Sequence, residues 1–426
     1  MSKVYKFDCG ARLVYEKNKA NKVTDISIDF RCGSSCDGEK AGLAHFTEHM
    51  FFTGTKSQNK QEISKEYFDF VDVNAYTNTK YIKFCGDVFT NELGQYLSCV
   101  AKLISESTFS QKNVDGEKKV VLQEIVEDSD RYSRVALREL AYQLYSQDYL
   151  RNGVLGNKKS VESITSKDVK DFVKKYFVAN NCDIFVVSTL SFEKVKRLVG
   201  HNLLKKLSIN TNLPNFDNTN LVVTDKWIAT NKKADIDKNF LSVAFKFNFG
   251  YNEHAKLAIL DTSCGAMSNI TDGVLKELRL EKGLVYSGGF YIDINKDNIA
   301  LIFKTELSRE NIKETLTILS NYLKRVKDKG IEEELIKQEH RTTKYVEESS
   351  IDTPRNVCSD LTSIKSFGKV VTSHEENAMR LAVSKQDVDN IIRENIGKTN
   401  VICCVYGNAE KTDCISTKEL KDLFSF

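Results

Sequence analysis

Hydrophobic and polar positions follow the same order of patterns in both halves of the chain. Each half shows strand-like alternation, a helix, another strand, a long amphipathic helix, and finally a helix that leads into an apolar strand. The stretch TSKDVKDFVKKYFVANNCDIFVVS, from residue 165, resembles VSKQDVDNIIRENIGKTNVICCVYG, from residue 383, since a charged helix start precedes a β-branched apolar run in both. This repeated order predicts one fold that occurs twice.

A second pair of segments supports the repeat. YIKFCGDVFTNELGQYLSCVAKLISES, from Tyr81, resembles IALIFKTELSRENIKETLTILSNYLKR, from Ile299, and the pattern of each predicts a strand followed by a helix. Strands alternate with long helices, but several strands are joined by hairpin-length connections. We therefore predict an α+β fold with two homologous domains, each a mostly antiparallel sheet with helices packed on it.

The boundary between the repeats is predicted at the Asn-rich stretch SINTNLPNFDNTNLV, residues 208–222. This stretch has little apolar periodicity and contains Pro214, one of two prolines in the chain. It separates an N-terminal domain at residues 1–210 from a C-terminal domain at residues 221–426. A chain of 426 residues is long enough for each domain to bury its own core.

Composition narrows the class of protein. Hydrophobic residues at 41% and charged residues at 28% are ordinary for a soluble globular chain. The net charge of +3 comes without a polybasic run, so we expect neither nucleic acid nor membrane as a partner. No segment approaches the ~20 apolar residues of a membrane span, and no signal-like apolar run follows the first lysines, which predicts a cytoplasmic location. The eleven scattered cysteines are predicted to be reduced thiols.

The stretch HFTEH is the first candidate for chemistry. His45 and His49 are four residues apart, which on a helix places both imidazoles on one face, about one turn from each other. That spacing suits chelation of one zinc ion, and it is the inverted order H-x-x-E-H. Glu48 precedes His49 and is placed to act as a base without binding the metal. A polar stripe on a half-buried helix remains an alternative for this pair.

A third ligand has to come from elsewhere in the fold. The stretch DGEKKVVLQEIVEDSD contains Glu117 and Glu124, which are seven residues apart and therefore on one face of a helix. Val121 and Ile125 would anchor the opposite side of that helix. Taken alone, the segment is typical of a solvated charged helix, and either glutamate is a candidate ligand.

With these motifs the chain resembles the pitrilysin/insulinase family of zinc peptidases, in the two-domain form that includes mitochondrial processing peptidase and small bacterial homologues. That family has H-x-x-E-H, a glutamate about 75 residues later, and a second glutamate seven residues before that one. The resemblance implies that His45, His49 and Glu124 bind one zinc ion per chain, with Glu48 as the catalytic base and Glu117 as a supporting catalytic residue.

Two further stretches resemble family segments. NAYTNTKYIKF begins at Asn74, and the resemblance implies that Asn74 and Ala75 bind a peptide as an added strand on a sheet edge. LKELRLEKGLVYS contains the pattern R-x-x-x-G-L-x-Y, which implies that Arg279 and Tyr286 hold substrate and stabilise the oxyanion. Two features differ from the family. The loop before Arg279 is longer than is usual, and Gly288–Gly289 follow Tyr286 where larger residues are common. The resemblance therefore does not determine the exact shape of the substrate pocket.

The sequence therefore predicts a zinc metalloendopeptidase that hydrolyses extended or unfolded peptides with metal-activated water. In the family, the zinc domain and the arginine and tyrosine domain of one site sit in opposite halves of a closed shell, so a two-domain chain needs a partner chain. One chain with both residue sets favours a homodimer, and a heterodimer with a related subunit remains open. The alternative function is a non-catalytic peptide-binding or scaffold subunit. A zinc-stabilised binding module would need a fourth protein ligand, and none is evident.

Overall fold

Strands and helices alternate along the chain as the hydrophobic pattern predicts. The fold is that of a computed structural model, which describes residues 2–18, 22–70, 72–145, 148–214, 226–294, 298–397 and 400–426. Of the linker predicted at residues 208–222, the part from residue 215 onward lies outside these ranges. The strands are β1 Lys3–Lys6, β2 Arg12–Lys17, β3 Val23–Phe30, β4 Asp72–Thr77, β5 Ile82–Phe89, β6 Cys182–Ser188, β7 Ile228–Lys233, β8 Asn239–Phe247, β9 Val285–Ile294, β10 Ile299–Leu307 and β11 Val401–Gly407.

The α-helices are α1 Leu43–Met50, α2 Lys60–Phe68, α3 Leu93–Glu106, α4 Gln111–Ser129, α5 Tyr132–Leu144, α6 Asp148–Asn152, α7 Lys158–Ser163, α8 Ser166–Tyr176, α9 Phe192–Leu198, α10 His254–Met267, α11 Ile312–Lys329, α12 Glu333–Ser349, α13 Pro354–Thr362, α14 Ile364–Phe367, α15 Ser373–Leu381, α16 Lys385–Asn395 and α17 Thr417–Phe424. Shorter 3₁₀ turns lie at Ser34–Cys36, Ala179–Asn181, Leu204–Lys206 and Arg309–Asn311, and π-helical turns lie at Val199–Leu203 and Lys276–Glu281.

The chain divides into two units. Unit 1 consists of Met1–Asp130, Asn152–Thr219 and Ile351–Thr372. Its described residues form a six-stranded sheet in the order β1-β2-β6-β3-β5-β4. The pair β2–β6 is parallel and the other pairs are antiparallel. Apolar residues of β3 and β5, such as Phe30 and Phe84, pack with helix residues such as Phe46 and Tyr67, and with Phe51 directly after α1, to form the core of this unit.

Unit 2 consists of Arg131–Arg151, Asn220–Ser350 and Ser373–Phe426. Its described residues form a five-stranded sheet in the order β7-β11-β8-β10-β9, in which β7–β11 is the parallel pair. The order β2-β6-β3-β5-β4 of unit 1 is repeated, element by element, in this sheet. The predicted α+β fold with two homologous, mostly antiparallel domains is therefore confirmed.

Relative to the predicted domains at 1–210 and 221–426, two segments are exchanged between the units. The segment with α5 belongs to unit 2, where Leu140 and Leu144 pack against residues of β8, β10 and β11. The segment with α13 belongs to unit 1, where Cys358 and Leu361 pack on Val14 of β2 and on β6. Each of these helices buries its apolar side against a sheet built mainly from the other half of the sequence, which hydrophobic periodicity alone does not reveal.

Helix α13 also closes an acidic cluster on the sheet of unit 1. Asp25 on β3 is buried, and neighbouring strands contribute Asp72 and Asp87. The guanidinium of Arg355 on α13 donates to Asp72 over 2.5 Å and to Asp87 over 2.7 Å. Burial, together with the charge of Asp87, raises the pKa of Asp25 to about 7, although the thiol of Cys358 and the charge of Arg355 act in the opposite direction.

Along the described part of the chain, every helix is either too short or too polar to cross a bilayer.

Candidate metal centre

Helix α1 carries the histidine pair, and its N-terminus is fixed by Asp37. The carboxylate of Asp37 accepts hydrogen bonds from the backbone N–H of Gly42 at 2.6 Å and of Ala44 at 2.7 Å. These bonds satisfy donors that have no partner within the helix. Gly42 has φ of 91°, and a Cβ there would lie 2.5 Å from the carbonyl oxygen of Leu155, so this helix start requires glycine.

One side of α1 is apolar and the other carries the candidate chemistry. Leu43, Phe46 and Met50 are buried, together with Ala44 and Thr47. The side chains of His45 and His49 retain 12% and 18% exposure, respectively. The imidazole centroids are 4.7 Å apart, as the i, i+4 spacing predicts. Because the apolar face of α1 is buried in the core, the imidazole rings of His45 and His49 lie on its opposite face.

Glu124 approaches both rings from α4. Its Oε2 atom lies 3.7 Å from Nε2 of His45 and 3.5 Å from Nε2 of His49. In the described part of the chain, these three residues are the one group whose potential ligand atoms all lie within 4.8 Å of one another. Glu124 thus joins the pair despite its distance along the sequence.

The three ligand atoms fit a zinc ion. Ligands of tetrahedral zinc at ~2.0–2.2 Å from the metal are about 3.4 Å apart, close to the 3.7 and 3.5 Å that separate Oε2 of Glu124 from the two histidine nitrogens. Burial, with a smaller contribution from the charge of His49, lowers the pKa of His45 to about 3, so this imidazole is neutral and has a lone pair for a metal. Nδ1 of His45 is buried without a hydrogen-bond partner in the described structure. Two imidazoles and one carboxylate also leave a fourth position, as catalytic zinc sites do.

Glu117 lies behind His49 on the same face of α4 as Glu124. Its Oε1 atom is 3.1 Å from Nδ1 of His49, and its Oε2 atom accepts a hydrogen bond from Lys60 at 2.8 Å. Burial alone would raise the pKa of Glu117, but the bonds from His49 and Lys60 outweigh it and lower the pKa. Burial likewise would lower the pKa of His49, yet Glu117, Glu124 and Glu48 together raise it. Because the Glu117 carboxylate contacts Nδ1 of His49, the other ring nitrogen, Nε2, is available to bind a metal.

Glu48 stands beside the group of three without belonging to it. The Thr77 hydroxyl donates to Oε2 of Glu48 over 2.5 Å. Burial raises the pKa of Glu48 above its usual range, and the charge of Glu124 adds to the rise, while Thr77 and His49 oppose it. A carboxylate next to a metal position can take a proton as a base and return it as an acid, and a raised pKa favours the protonated form that the second role needs.

Asn74 and Ala75 lie on β4, the last strand in the order of its sheet. The strand pairs with β5, with Asn74 opposite Cys85 and Ala75 opposite Phe84. The side-chain oxygen of Asn74 accepts a hydrogen bond from the backbone N–H of Ala75 at 2.9 Å, and the backbone carbonyl of Asn74 accepts one from the Tyr67 hydroxyl at 3.0 Å. A terminal strand of this kind can accept a further strand from a peptide.

Arg279 and Tyr286 belong to unit 2, whereas the other predicted site residues belong to unit 1. Arg279 lies in the π-helical turn Lys276–Glu281, and its Cζ atom is 5.0 Å from the ring centroid of Tyr286 on β9. Tyr286 is 82% exposed. Arg279 and Tyr286 therefore form a cation–π pair on the surface of unit 2, and the tyrosine does not pack in the core.

The two glycines after Tyr286 are explained by close packing. A Cβ at Gly288 would lie 2.9 Å from the Cβ of Thr305 on β10, and one at Gly289 would lie 2.9 Å from Oγ of Ser268. The same Ser268 oxygen accepts a hydrogen bond from the backbone N–H of Phe290 at 2.7 Å. Ser268, the residue directly after α10, therefore holds β9, and the strand needs glycine at this point.

Sequence reasoning missed two residues of the site, Thr77 and Lys60. Thr77 lies three residues after Asn74, so the sequence pattern predicts its position on the strand. The pattern does not predict its contact with α1. Lys60 is the first residue of α2 and lies within the capping box that Asn59 and Glu62 form. The cap predicts where the helix begins, whereas the ion pair of Lys60 with Glu117 depends on tertiary packing.

Comparison with known proteins agrees with the motifs and the fold. Residues 12–158 match the family described as Insulinase (Peptidase family M16), and residues 163–342 match the one described as Peptidase M16 inactive domain. The chain therefore belongs to the M16 (insulinase) peptidase family. The resemblance predicted from the sequence is confirmed.

Individual relatives are distant. The chain is 25% identical over 333 residues to an uncharacterized zinc protease, YmxG, of Bacillus subtilis, covering 75% of this chain and 78% of that protein. It is 27% identical over 201 residues to a probable mitochondrial-processing peptidase subunit beta of Arabidopsis thaliana, covering 47% of this chain and only 38% of that protein. The structure of a peptidase M16 inactive domain from Pseudomonas fluorescens has a TM-score of 0.81 at 16% identity, over 96% of this chain and 99% of that one. At that identity the likeness shows the fold alone.

Proposed function

We propose that the chain is a zinc-dependent endopeptidase that hydrolyses extended or unfolded peptides. The observation that carries the proposal is the convergence of His45, His49 and Glu124 from two helices, with ligand atoms within 4.8 Å of one another and Glu48 at their side. One zinc ion per chain, when bound there, would supply a water whose pKa falls to about 7 and would polarise the peptide carbonyl.

Glu48 moves the proton in this proposal. Its carboxylate takes a proton as the water attacks the carbonyl carbon and passes it to the leaving nitrogen, so the same group is first a base and then an acid. Its raised pKa supports the second step, because a more basic carboxylate holds the transferred proton more readily. Glu117 holds the orientation of His49 and takes no proton from the substrate.

Substrate binding is assigned to backbone pairing on β4. A peptide that extends the sheet beside Asn74 and Ala75 would gain main-chain hydrogen bonds with loose sequence preference. Only an extended chain can pair in this way, so unfolded segments and oligopeptides are the proposed substrate class. Arg279 and Tyr286 would hold the carbonyl groups of the peptide and stabilise the oxyanion.

We further propose that two chains combine into a clamshell with two equivalent sites. The support is that one chain contains both the zinc set and the pair Arg279 and Tyr286, so a second copy could complete each site. One relative of the chain is named a subunit beta, which is the name of a protein that belongs to an assembly. A related but different subunit is the alternative partner.

The test is peptide cleavage by the purified protein, with and without chelator, together with its zinc content and its mass in solution. We expect one zinc per chain, dimer mass and cleavage that stops on chelation. Glu48→Gln should keep its zinc and lose at least about a hundredfold in kcat, the scale of a lost general base. Glu127→Gln, an exposed glutamate on α4, is the matched control and should behave as wild type.

Two results contradict the proposal. Cleavage that persists after zinc removal, or equal cleavage by Glu48→Gln, excludes the proposed chemistry. Zinc-loaded protein that binds extended peptides and leaves them intact supports the alternative, a non-catalytic peptide-binding or scaffold subunit. Residues 163–342 match a family described as an inactive domain, and this match is the observation that favours the second function.

A further inference from the structure

The side chain of Thr77 joins the terminal strand β4 to the candidate base on α1. Residues 73, 75 and 77 alternate with exposed ones and share the face of β4 that packs toward the helices of unit 1. Thr77 is the last residue of the strand, and its hydroxyl donates to Oε2 of Glu48 over 2.5 Å. Among the described residues, this is the one side-chain hydrogen bond that Glu48 makes.

The end of β4 is held rigidly. Thr77 pairs with Ile82 of β5, and the following turn is closed because the Asn78 side chain accepts hydrogen bonds from the N–H of Lys80 and of Tyr81, at 2.8 and 2.7 Å. The backbone N–H of Ser34 donates to the carbonyl of Asn78 at 3.0 Å. The Thr77 hydroxyl is therefore positioned by a strand pair, a closed turn and a neighbouring loop.

On the α1 side, the position of the Glu48 carboxylate depends on the rotamer of the Glu48 side chain. Helix α1 fixes the Glu48 backbone and restricts χ1, but the other two rotatable bonds of the glutamate side chain remain free to turn. A charge-assisted bond from a β-branched residue with a stiff χ1 removes much of that freedom. A base has to point at the proton it abstracts within hydrogen-bond reach, so this orientation matters for the reaction.

We propose that Thr77 is a positioning residue for the peptidase reaction and acts by fixing the direction of the Glu48 carboxylate. The inference rests on the proposed function, because it assigns Glu48 the role of base. It also links the strand that would pair with a peptide to the group that would act on it, since both features belong to β4. Thr77 contacts neither the metal ligands nor the substrate in this scheme.

The test compares Thr77→Val, which keeps size and β-branching, with Thr77→Ser, which keeps the hydroxyl. For zinc-loaded Thr77→Val we expect kcat to fall about tenfold, a part of the contribution of a general base, while KM changes by less than about threefold. Thr77→Ser should return kcat to within about threefold of wild type. Zinc content and melting temperature should stay unchanged in both. Thr79→Val is the matched control, because the Thr79 hydroxyl takes part in none of the hydrogen bonds found for the described residues.

A second measurement keeps the inference independent of activity. In crystals of the zinc-loaded proteins, the Glu48 carboxylate should occupy one position in wild type and Thr77→Ser, and should rotate or spread over several positions in Thr77→Val. An unchanged Glu48 position in Thr77→Val, or an unchanged kcat, overturns the role of Thr77. A wild-type protein that cuts no peptide overturns the proposed function instead, and the crystal comparison still decides whether Thr77 fixes Glu48.

Discussion

Nδ1 of His49 lies 3.1 Å from Oε1 of Glu117, and this contact connects the last turn of α1 to the first half of α4. Glu117 is 6% exposed, so the contact is largely shielded from water. A carboxylate on one ring nitrogen fixes the direction of the other, which here faces Glu124 at 3.5 Å. The contact therefore holds the His49 ring in the orientation that the proposed zinc site requires.

Replacement of Glu117 should weaken zinc binding without removing a ligand. For Glu117→Gln we expect zinc affinity to fall about tenfold or more, within the 10–100-fold range typical of such outer contacts. Competition with a chromophoric chelator measures the change. Lys60→Met is the matched control, since Lys60 contacts only the far oxygen of Glu117 and is 57% exposed, which limits that ion pair to a few-fold effect. Equal affinities for wild type and Glu117→Gln would show that the contact does not orient His49.

Zinc affinity should depend on pH through His49. The pKa of His45 is lowered to about 3, so His45 stays neutral at pH 6–8, whereas that of His49 is raised above its usual value. Zinc must displace a proton from His49 below this raised pKa, so affinity should fall about tenfold per pH unit there. Chelator competition at pH 6, 7 and 8 measures the slope. Because Glu117 helps to raise this pKa, the decline should begin at lower pH in Glu117→Gln, and a flat profile would contradict the assignment.

Local patterns predicted the ligands, and tertiary packing supplied what the patterns lacked. The i, i+4 spacing of His45 and His49 follows from helix geometry, so a sequence alone places both rings on one face. The choice between Glu117 and Glu124 could not be made this way, because both lie on one face of α4 and only the packing of α1 on α4 decides which one reaches Nε2. The family resemblance made that assignment, and the structure places Oε2 of Glu124 within 3.7 Å of Nε2 of His45 and 3.5 Å of Nε2 of His49.

The exchange of α5 and α13 shows the same limit for the fold. Leu140 and Leu361 sit in helices with ordinary amphipathic patterns, and such a pattern states that one side will be buried without naming the sheet that covers it. The repeat itself could be predicted because strand, helix and strand recur at similar spacing in both halves, whereas the order of the strands within each sheet could not be predicted. The partner of each exchanged helix depends on contacts hundreds of residues apart, as between Arg355 and Asp72.

Asp25 should make the protein less stable as the pH rises. Its pKa in the folded protein is about 7, above its ordinary value of 3.8, so the folded state favours the protonated form. That stabilisation is fully present below pH 3.8 and is lost as the pH rises through about 7. Asp25→Asn should therefore reduce the loss of melting temperature between pH 6 and pH 8. Thermal unfolding of the chelator-treated protein at both pH values measures this difference.

Asp72→Asn is the matched control for this cluster. Asp72 shares Arg355 with Asp87, but its side chain is 66% exposed, so its replacement should leave the difference between pH 6 and pH 8 close to that of wild type. Arg355→Met should enlarge the difference, because the charge of Arg355 opposes the rise in the pKa of Asp25. If Asp25→Asn and Asp72→Asn change the pH dependence equally, the burial of Asp25 is not its cause.

Mixing two inactive variants should restore activity if sites are shared between chains. Glu48→Gln lacks the base, and Arg279→Ala lacks the proposed substrate contact, so neither homodimer should cleave peptides. When each site combines the zinc set of one chain with Arg279 of the other, a mixed dimer has one intact site and one site with both defects. Random 1:1 pairing makes about half of the dimers mixed, so about a quarter of wild-type activity should return after co-expression. A mixture that stays inactive, although mass spectrometry shows mixed dimers, would place Glu48 and Arg279 of one chain in the same site.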